Sequence, residues 1–198
     1  IIRPILFLTD PEKIHDFTLW GLSFFSKSKL LNKLLKSRLN YTSPRLRQKL
    51  FGLYFKNPVG LAAGLDKNGK AINTWSAMGF AWAQIGSITH QAQEGNPKPR
   101  LWRLPKDKAL VVYYGLCNQG AKKIAEVLKT KTALISASIA KTSNVAMEKA
   151  ADDYQASFEI LAEHADIVTI NLSCPNVAGF TGLQSKKLLE PILDRIQS

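Results

Sequence analysis

The chain has 198 residues, 45% hydrophobic and 21% charged, with a formal net charge of +12. This is a globular composition with enough apolar residues for one sizeable core, which excludes a disordered or fibrous chain. No apolar run approaches the roughly 20 residues of a membrane-spanning helix, and the two cysteines, Cys117 and Cys174, form no disulfide framework, as expected in a reducing compartment.

The charge is uneven along the chain. Residues 1–60 hold eleven Lys/Arg against three Asp/Glu, and no acidic residue occurs from Phe17 to Leu65. Such a stretch suits an anionic surface. The aromatics Phe17, Trp20, Phe24 and Phe25 precede the basic run and do not interleave with it, so lipid headgroups fit better than nucleic acid. Asp10 can cap a helix, with Pro11 in its first turn and Glu12 at the positive end of its dipole. Ile14, Phe17, Gly21, Leu22 and Phe25 continue it at helical spacing, and Leu19, Trp20 and Phe24 make it apolar nearly all round. A second helix is expected over Leu30 to Leu35, flanked by Lys29, Lys33 and Lys36. Two short apolar helices with a basic face read either as a monotopic membrane device or as a hairpin docked on its own domain. Tyr41 to Arg47 is a linker. Residues 1–44 therefore form a helical region, and residues 45–198 an α/β region.

In the second region, Phe51 to Phe55 and Val59 to Ala62 read as strands. Ala62-Ala63-Gly64 leaves the backbone bare, so a flat ring can approach it, and Lys67 offers a cation close by. A helix is expected over Ala71 to Met78. Next come a strand over Trp82 to Gly86, ended by Ser87, a helix over Gly120 to Leu128, and a strand over Ala133 to Ile139. The chain continues with a helix over Ala151 to Ala165, a strand over Ile167 to Leu172 and a helix over Lys186 to Ile196. This alternation indicates a parallel α/β architecture. Pro175 cannot continue a central strand, so Asn171, Ser173, Cys174 and Asn176 cluster at a strand end, where α/β barrels put their chemistry. The two carboxamides can bind a planar ligand rich in C=O and N–H groups, and the Cys174 thiol could move a proton. A capped turn beside a buried free thiol is the other reading of the same residues.

Three stretches carry a resemblance: Asn171-Leu172-Ser173-Cys174-Pro175-Asn176, the run from Asn57 to Gly69, and Gly95 to Pro105. Taken in chain order they resemble the dihydroorotate dehydrogenases, FMN-dependent (β/α)8 barrels that oxidise dihydroorotate to orotate in pyrimidine synthesis. Gly95 to Pro105 and Asp10 to His15 are similar to the membrane-bound, quinone-using class 2 enzymes. The resemblance implies FMN on Ala63, Gly64, Lys67, Ser87, Ser138 and Asn171. It implies substrate on Lys67, Gly115, Leu116, Asn171 and Asn176, with Cys174 as base, and quinone at His15 and Arg103 in a tunnel formed by the helical hairpin. No metal is expected. The implied location is peripheral, on the cytoplasmic face of a bacterial inner membrane or on the mitochondrial inner membrane.

The sequence departs from the family at four places. Val112 stands where the family has an orotate-binding Asn, Ser138 where it has an Asn facing flavin and substrate, and Cys117 where Asn is common. Cys174 is the base of the soluble class 1 enzymes, whereas class 2 enzymes use Ser. A buried polar ligand edge left unpaired costs roughly 1–3 kcal/mol, so Val112 and Ser138 support two alternatives: a non-catalytic homologue that binds membrane or a partner, and an FMN barrel with another planar substrate. Only four barrel strands are counted where a closed barrel needs eight, so a continuing polypeptide or a second chain is expected to supply the remaining half barrel. The first residue, Ile, implies that the natural start lies elsewhere.

Overall fold

A computed structural model describes residues 2–197. Three helices lead the chain: α1 (Ile2–Phe7), α2 (Pro11–Lys27) and α3 (Lys29–Leu39). Asp10 caps α2 as expected, its Oδ1 accepting from the Lys13 backbone N–H at 3.0 Å. Ser28 ends α2 and caps α3, accepting from Leu31 N–H at 3.3 Å. Leu19 is buried, but α2 is not covered all round: Phe17, Trp20 and Phe24 form an exposed aromatic row with ring centroids 5.7 and 4.7 Å apart. The opposite side docks on the α/β region. Thr74 Oγ1 donates to Leu22 O at 3.0 Å, and Asn40 Nδ2 donates to Ala77 O at 2.6 Å. The hairpin is thus packed on its own domain and also leaves an apolar face outside. No described helix is long and apolar enough to cross a membrane.

Strands β1 (Gln48–Leu50) and β2 (Leu53–Phe55) form an antiparallel hairpin. Phe51 and Gly52, expected to open a strand, make its turn with φ values of 52° and 76°, a left-handed conformation that stops a strand. Val59 to Ala62 is not a full strand either. It runs beside the next strand through one bridge, Leu61 with Ala83, before Ala62 turns away. The expected helix over Ala71 to Met78 shrinks to α4 (Thr74–Ala77), because Asp66 takes the Lys70 and Ala71 backbone N–H groups into a side-chain-capped turn.

The central sheet is β3 (Trp82–Ile88), β6 (Leu134–Ile139) and β7 (Ile167–Ile170), parallel and in the order β3-β6-β7. β3 passes through Ser87 to Ile88, and the register with β6 shifts between Gly86 and Ile88. Between β3 and β6 lies an unexpected antiparallel hairpin, β4 (Leu101–Leu104) with β5 (Ala109–Val112). Helices α5 (Ala121–Leu128), α6 (Ala150–Ala162) and α7 (Lys186–Gln197) complete the set, within a residue or so of expectation except at the C-terminal end of α6. Ile85, Ile135 and Ile139 from the sheet bury against a shell that includes Ile124, Leu128, Tyr154, Leu161 and Ile192. Each such side chain contributes about 1.5–3 kcal/mol. On other positions of the three strands, Gln84, Ser136 and Thr169 bond to one another, with Gln84 Nε2 donating to Thr169 Oγ1 at 2.6 Å. This polar layer lies one strand step below the site.

Candidate functional site

The C-terminal ends of the three parallel strands converge on one hydrogen-bonded row. Gly86 pairs with Ser138 across β3 and β6, and Ser138 pairs with Thr169 across β6 and β7. The register shift after Gly86 brings Ser87 Oγ to 2.9 Å from Ser138 Oγ, and Asn171 Nδ2 donates to Ser87 Oγ at 2.8 Å. Gly86 is required here: its φ is 105°, and a Cβ would stand 2.5 Å from Ser138 O. Asn171 is held from three sides. Its backbone N–H donates to Ile139 O at 2.8 Å, its carbonyl accepts from Tyr154 OH at 2.6 Å, and its Oδ1 accepts from Ser173 N–H at 3.0 Å. One Nδ2–H remains for a ligand.

Cys174 follows this row and is 9% exposed. Burial pushes its thiol up from the ordinary value of 9.0, while the Asn176 backbone N–H pulls it back. Asn96 ties the loop down: its Nδ2 donates to Asn176 O at 3.1 Å. Asn96 also covers Gly115, where a Cβ would meet Asn96 Cγ at 2.5 Å. Gly115 and Leu116 both have positive φ, 67° and 58°, and both are buried. The structure therefore brings Gly115 beside the Asn176 loop, but Asn96 stands over it and Leu116 packs into the core.

On the other side of β3, Gly64 N–H donates to Gly86 O at 3.1 Å. Gly64 has φ 111° and open space where a Cβ would stand, and Ala62 and Ala63 leave that backbone accessible. This bare backbone wall stands open to a flat ring, beside the Ser87, Ser138 and Asn171 polar row. Lys67 Nζ donates to Gly64 O at 2.8 Å and stands 3.9 Å over the Tyr114 ring. Burial holds its ammonium below the ordinary lysine range, and the Arg100 charge adds to the drop. Val112 lies on β5 opposite Leu101, 45% exposed, and offers a ligand no hydrogen bond.

His15 and Arg103, 88 positions apart in the chain, line one mainly apolar cavity of about 450 Å³ between α2 and the β4–β5 hairpin. His15 Nε2 lies 2.7 Å from Leu65 O, next to Gly64, so the cavity reaches the bare backbone wall. Arg103 Nη1 donates to Thr9 O at 2.6 Å and its guanidinium stacks on Phe7 at 4.6 Å.

Several residues of the site were not singled out from the sequence. Glu12, read as a dipole residue, is buried and paired with Arg100 at 2.8 Å. Arg100 in turn donates to the Glu94 and Asn96 carbonyls, so the α2 helix and the Asn96 loop share one cation. Asn118 Oδ1 accepts from Thr89 and Gly120 N–H, which starts α5. Tyr154 had a sequence signal in its helical spacing, and Asn96 and Arg100 lie within the Gly95 to Pro105 stretch; Tyr114 had none.

Residues 45–198 match the family described as Dihydroorotate dehydrogenase. A protein of Corynebacterium diphtheriae named "Dihydroorotate dehydrogenase (quinone)" is 41% identical over 97% of this chain and 53% of its own length. One of the same name from Chloroflexus aurantiacus is 42% identical over 99% of this chain and 56% of its own. A crystal structure of "DHODH in complex with ferulenol from Eimeria tenella" superposes with a TM-score of 0.80 at 32% identity, over 95% of this chain and 50% of that one. The chain spans about half the length of the curated relatives it matches.

Proposed function

The chain belongs to the dihydroorotate dehydrogenase family, and from that premise we propose that it serves the oxidation of dihydroorotate to orotate, with FMN as cofactor and a quinone as final acceptor. Similarity to relatives named for the quinone-dependent enzyme supports the acceptor. The observation that carries the reading is the row Ser87, Ser138 and Asn171 across three strand ends, with Cys174 next to it. Ala63, Gly64, Lys67, Ser87, Ser138 and Asn171 hold FMN, which supplies a two-electron acceptor at that wall. Asn171 and Asn176 present carboxamides to a planar substrate, and the backbone of Gly115 and Leu116 closes over it once Asn96 shifts. Lys67 balances negative charge at the substrate or cofactor.

Cys174, as thiolate, takes the C5 proton of dihydroorotate. When bound, FMN would supply the acceptor for the hydride that leaves C6, so that the C5–C6 bond becomes double, while Cys174 passes the C5 proton on to solvent. His15 and Arg103 line the quinone cavity. The exposed row Phe17, Trp20 and Phe24 supports a peripheral seat on a bilayer surface, the cytoplasmic face of a bacterial inner membrane or the mitochondrial inner membrane. β7 pairs only with β6 among the described residues, so a closed flavin site needs further strands, from a continuing chain or a second one.

Anaerobic mixing of the purified, FMN-loaded protein with dihydroorotate tests the reading: the flavin absorbance should bleach. Val112 and Ser138 favour a second reading, an FMN barrel for another planar substrate. A flavin that stays oxidised with dihydroorotate but bleaches with a different planar reductant would establish that second reading.

A further inference from the structure

Six lysines converge on one groove of about 1320 Å³ between the helical hairpin and the wall of the α/β region. Lys27, Lys29, Lys33 and Lys36 come from the hairpin; Lys70 and Lys123 come from the wall. None of the six is in a salt bridge among the described residues. Glu126, the single acidic residue of the lining, is already held 2.7 Å from Lys129. Like charges gathered without counter-ions repel, so the groove favours an anion over water. The field reaches beyond the groove: burial lowers the affinity of Lys56 for its proton, and the Lys36 charge lowers it further.

Two further features define the ligand. Trp20 lines the groove and also belongs to the exposed row with Phe17 and Phe24, so the basic floor runs directly into the apolar face. Asn32 Oδ1, in the same lining, is buried and has no donor. The floor itself is fixed, because Asn73 binds Thr130 O and the Thr132 backbone N–H and donates its own N–H to Ser26 Oγ.

We propose that this groove binds the headgroup of an anionic phospholipid, with phosphate among the six lysines, a headgroup hydroxyl donated to Asn32, and acyl chains along Trp20 and Phe24. The inference rests on the membrane reading above but goes beyond it. A basic surface pressed on a bilayer would use hairpin lysines alone, whereas a groove uses Lys70 and Lys123 as well.

The test is binding of the intact protein to phosphatidylcholine vesicles containing one-fifth phosphatidylglycerol. The Lys70→Gln/Lys123→Gln variant should bind roughly 30-fold more weakly, at about 1 kcal/mol or about fivefold per lysine near an anionic surface. Its binding to pure phosphatidylcholine should not change. Lys149→Gln/Lys187→Gln removes the same charge from exposed positions elsewhere and should bind like the parent. Parent affinity in the Lys70/Lys123 variant, or an equal loss in both variants, would overturn the groove. Vesicle binding by the parent that does not rise when phosphatidylglycerol is added, while inorganic phosphate still binds, would assign the groove to a free anion and overturn the lipid. Thermal midpoints establish that each variant is folded. Dihydroorotate-driven flavin bleaching, read in the same samples, reports on the proposed activity separately, so either reading can fail without the other.

Discussion

Burial raises the Cys174 thiol above 9.0, with only the Asn176 backbone N–H opposing it. As a base it must be thiolate, so flavin reduction should quicken with pH to beyond the ordinary thiol range. Stability moves the other way. The folded value lies above the unfolded one, so the contribution of this proton is complete below pH 9.0 and is lost as pH rises through the folded value. Cys174→Ala should slow flavin reduction by a factor on the order of 10² or more. Cys174→Ser should keep some activity with its pH profile displaced upward. Rapid-mixing absorbance across a pH series reads both, and an Ala variant at the parent rate removes Cys174 from the chemistry. Glu12 shows the opposite sign. Its burial favours the neutral acid, but hydrogen bonds from Arg100 and Lys98 prevail and hold the carboxyl below 4.5. Its contribution is present above pH 4.5 and is lost as pH falls through the folded value. Glu12→Ala leaves Arg100 buried and unpaired, so denaturant unfolding should show a loss of about 3–5 kcal/mol at neutral pH. A loss under 1 kcal/mol would mean that water already compensates Arg100.

At the scale of elements, the site depends on how β3 ends. The shifted register after Gly86 turns Ser87 toward β6, and no side chain fits at Gly86. Gly86→Ala should therefore lower the unfolding midpoint and the FMN content together, since the Cβ would press on Ser138 O. Retention of both at parent level would show that the strand end can relax. The Asn176 loop depends on a different element, the Asn96 turn. Asn96→Ala frees that loop and uncovers Gly115. Cys174 should then be alkylated several-fold faster in a mass-spectrometric time course that resolves it from Cys117. An unchanged rate would place the restraint elsewhere, with Gln184 Nε2, 3.4 Å from Leu172 O, as the next candidate.

Across the whole molecule, one ionic and polar path joins the helical region to the site. Glu12 on α2 holds Arg100, Arg100 holds the Glu94 and Asn96 carbonyls, and Asn96 holds the Asn176 loop. The apolar cavity with His15 and Arg103 lies on the same side and touches Leu65. Helix docking, the apolar cavity and the Asn176 loop are thereby joined in one contact region. Enlarging the side chain at Ile14 to Trp should fill the cavity. Quinone reduction should fall while dihydroorotate still bleaches the flavin, which stopped-flow measurement of the two half-reactions would separate. Equal loss of both would argue that the cavity serves stability and not electron exit.

The sequence by itself determined the α2 cap at Asp10, the strands β3, β6 and β7, the helices α5 to α7 and the polar cluster ending at Asn176. Those features rest on neighbours within one element: a capping side chain, a run of apolar residues, a proline that stops a strand. Ser87, Ser138 and Asn171 were named by resemblance, but only the sheet register puts them within hydrogen-bond reach of one another. The β4–β5 hairpin, the Glu12–Arg100 pair and the six-lysine groove were not legible. Each joins segments distant in the chain, and periodicity carries no information about which segments dock. Val59 to Ala62 and Ala71 to Met78 show the converse. Their local patterns favoured regular elements, and Asp66 and the bare turn at Gly64 overrode them, because satisfying buried backbone groups outweighs weak local propensity.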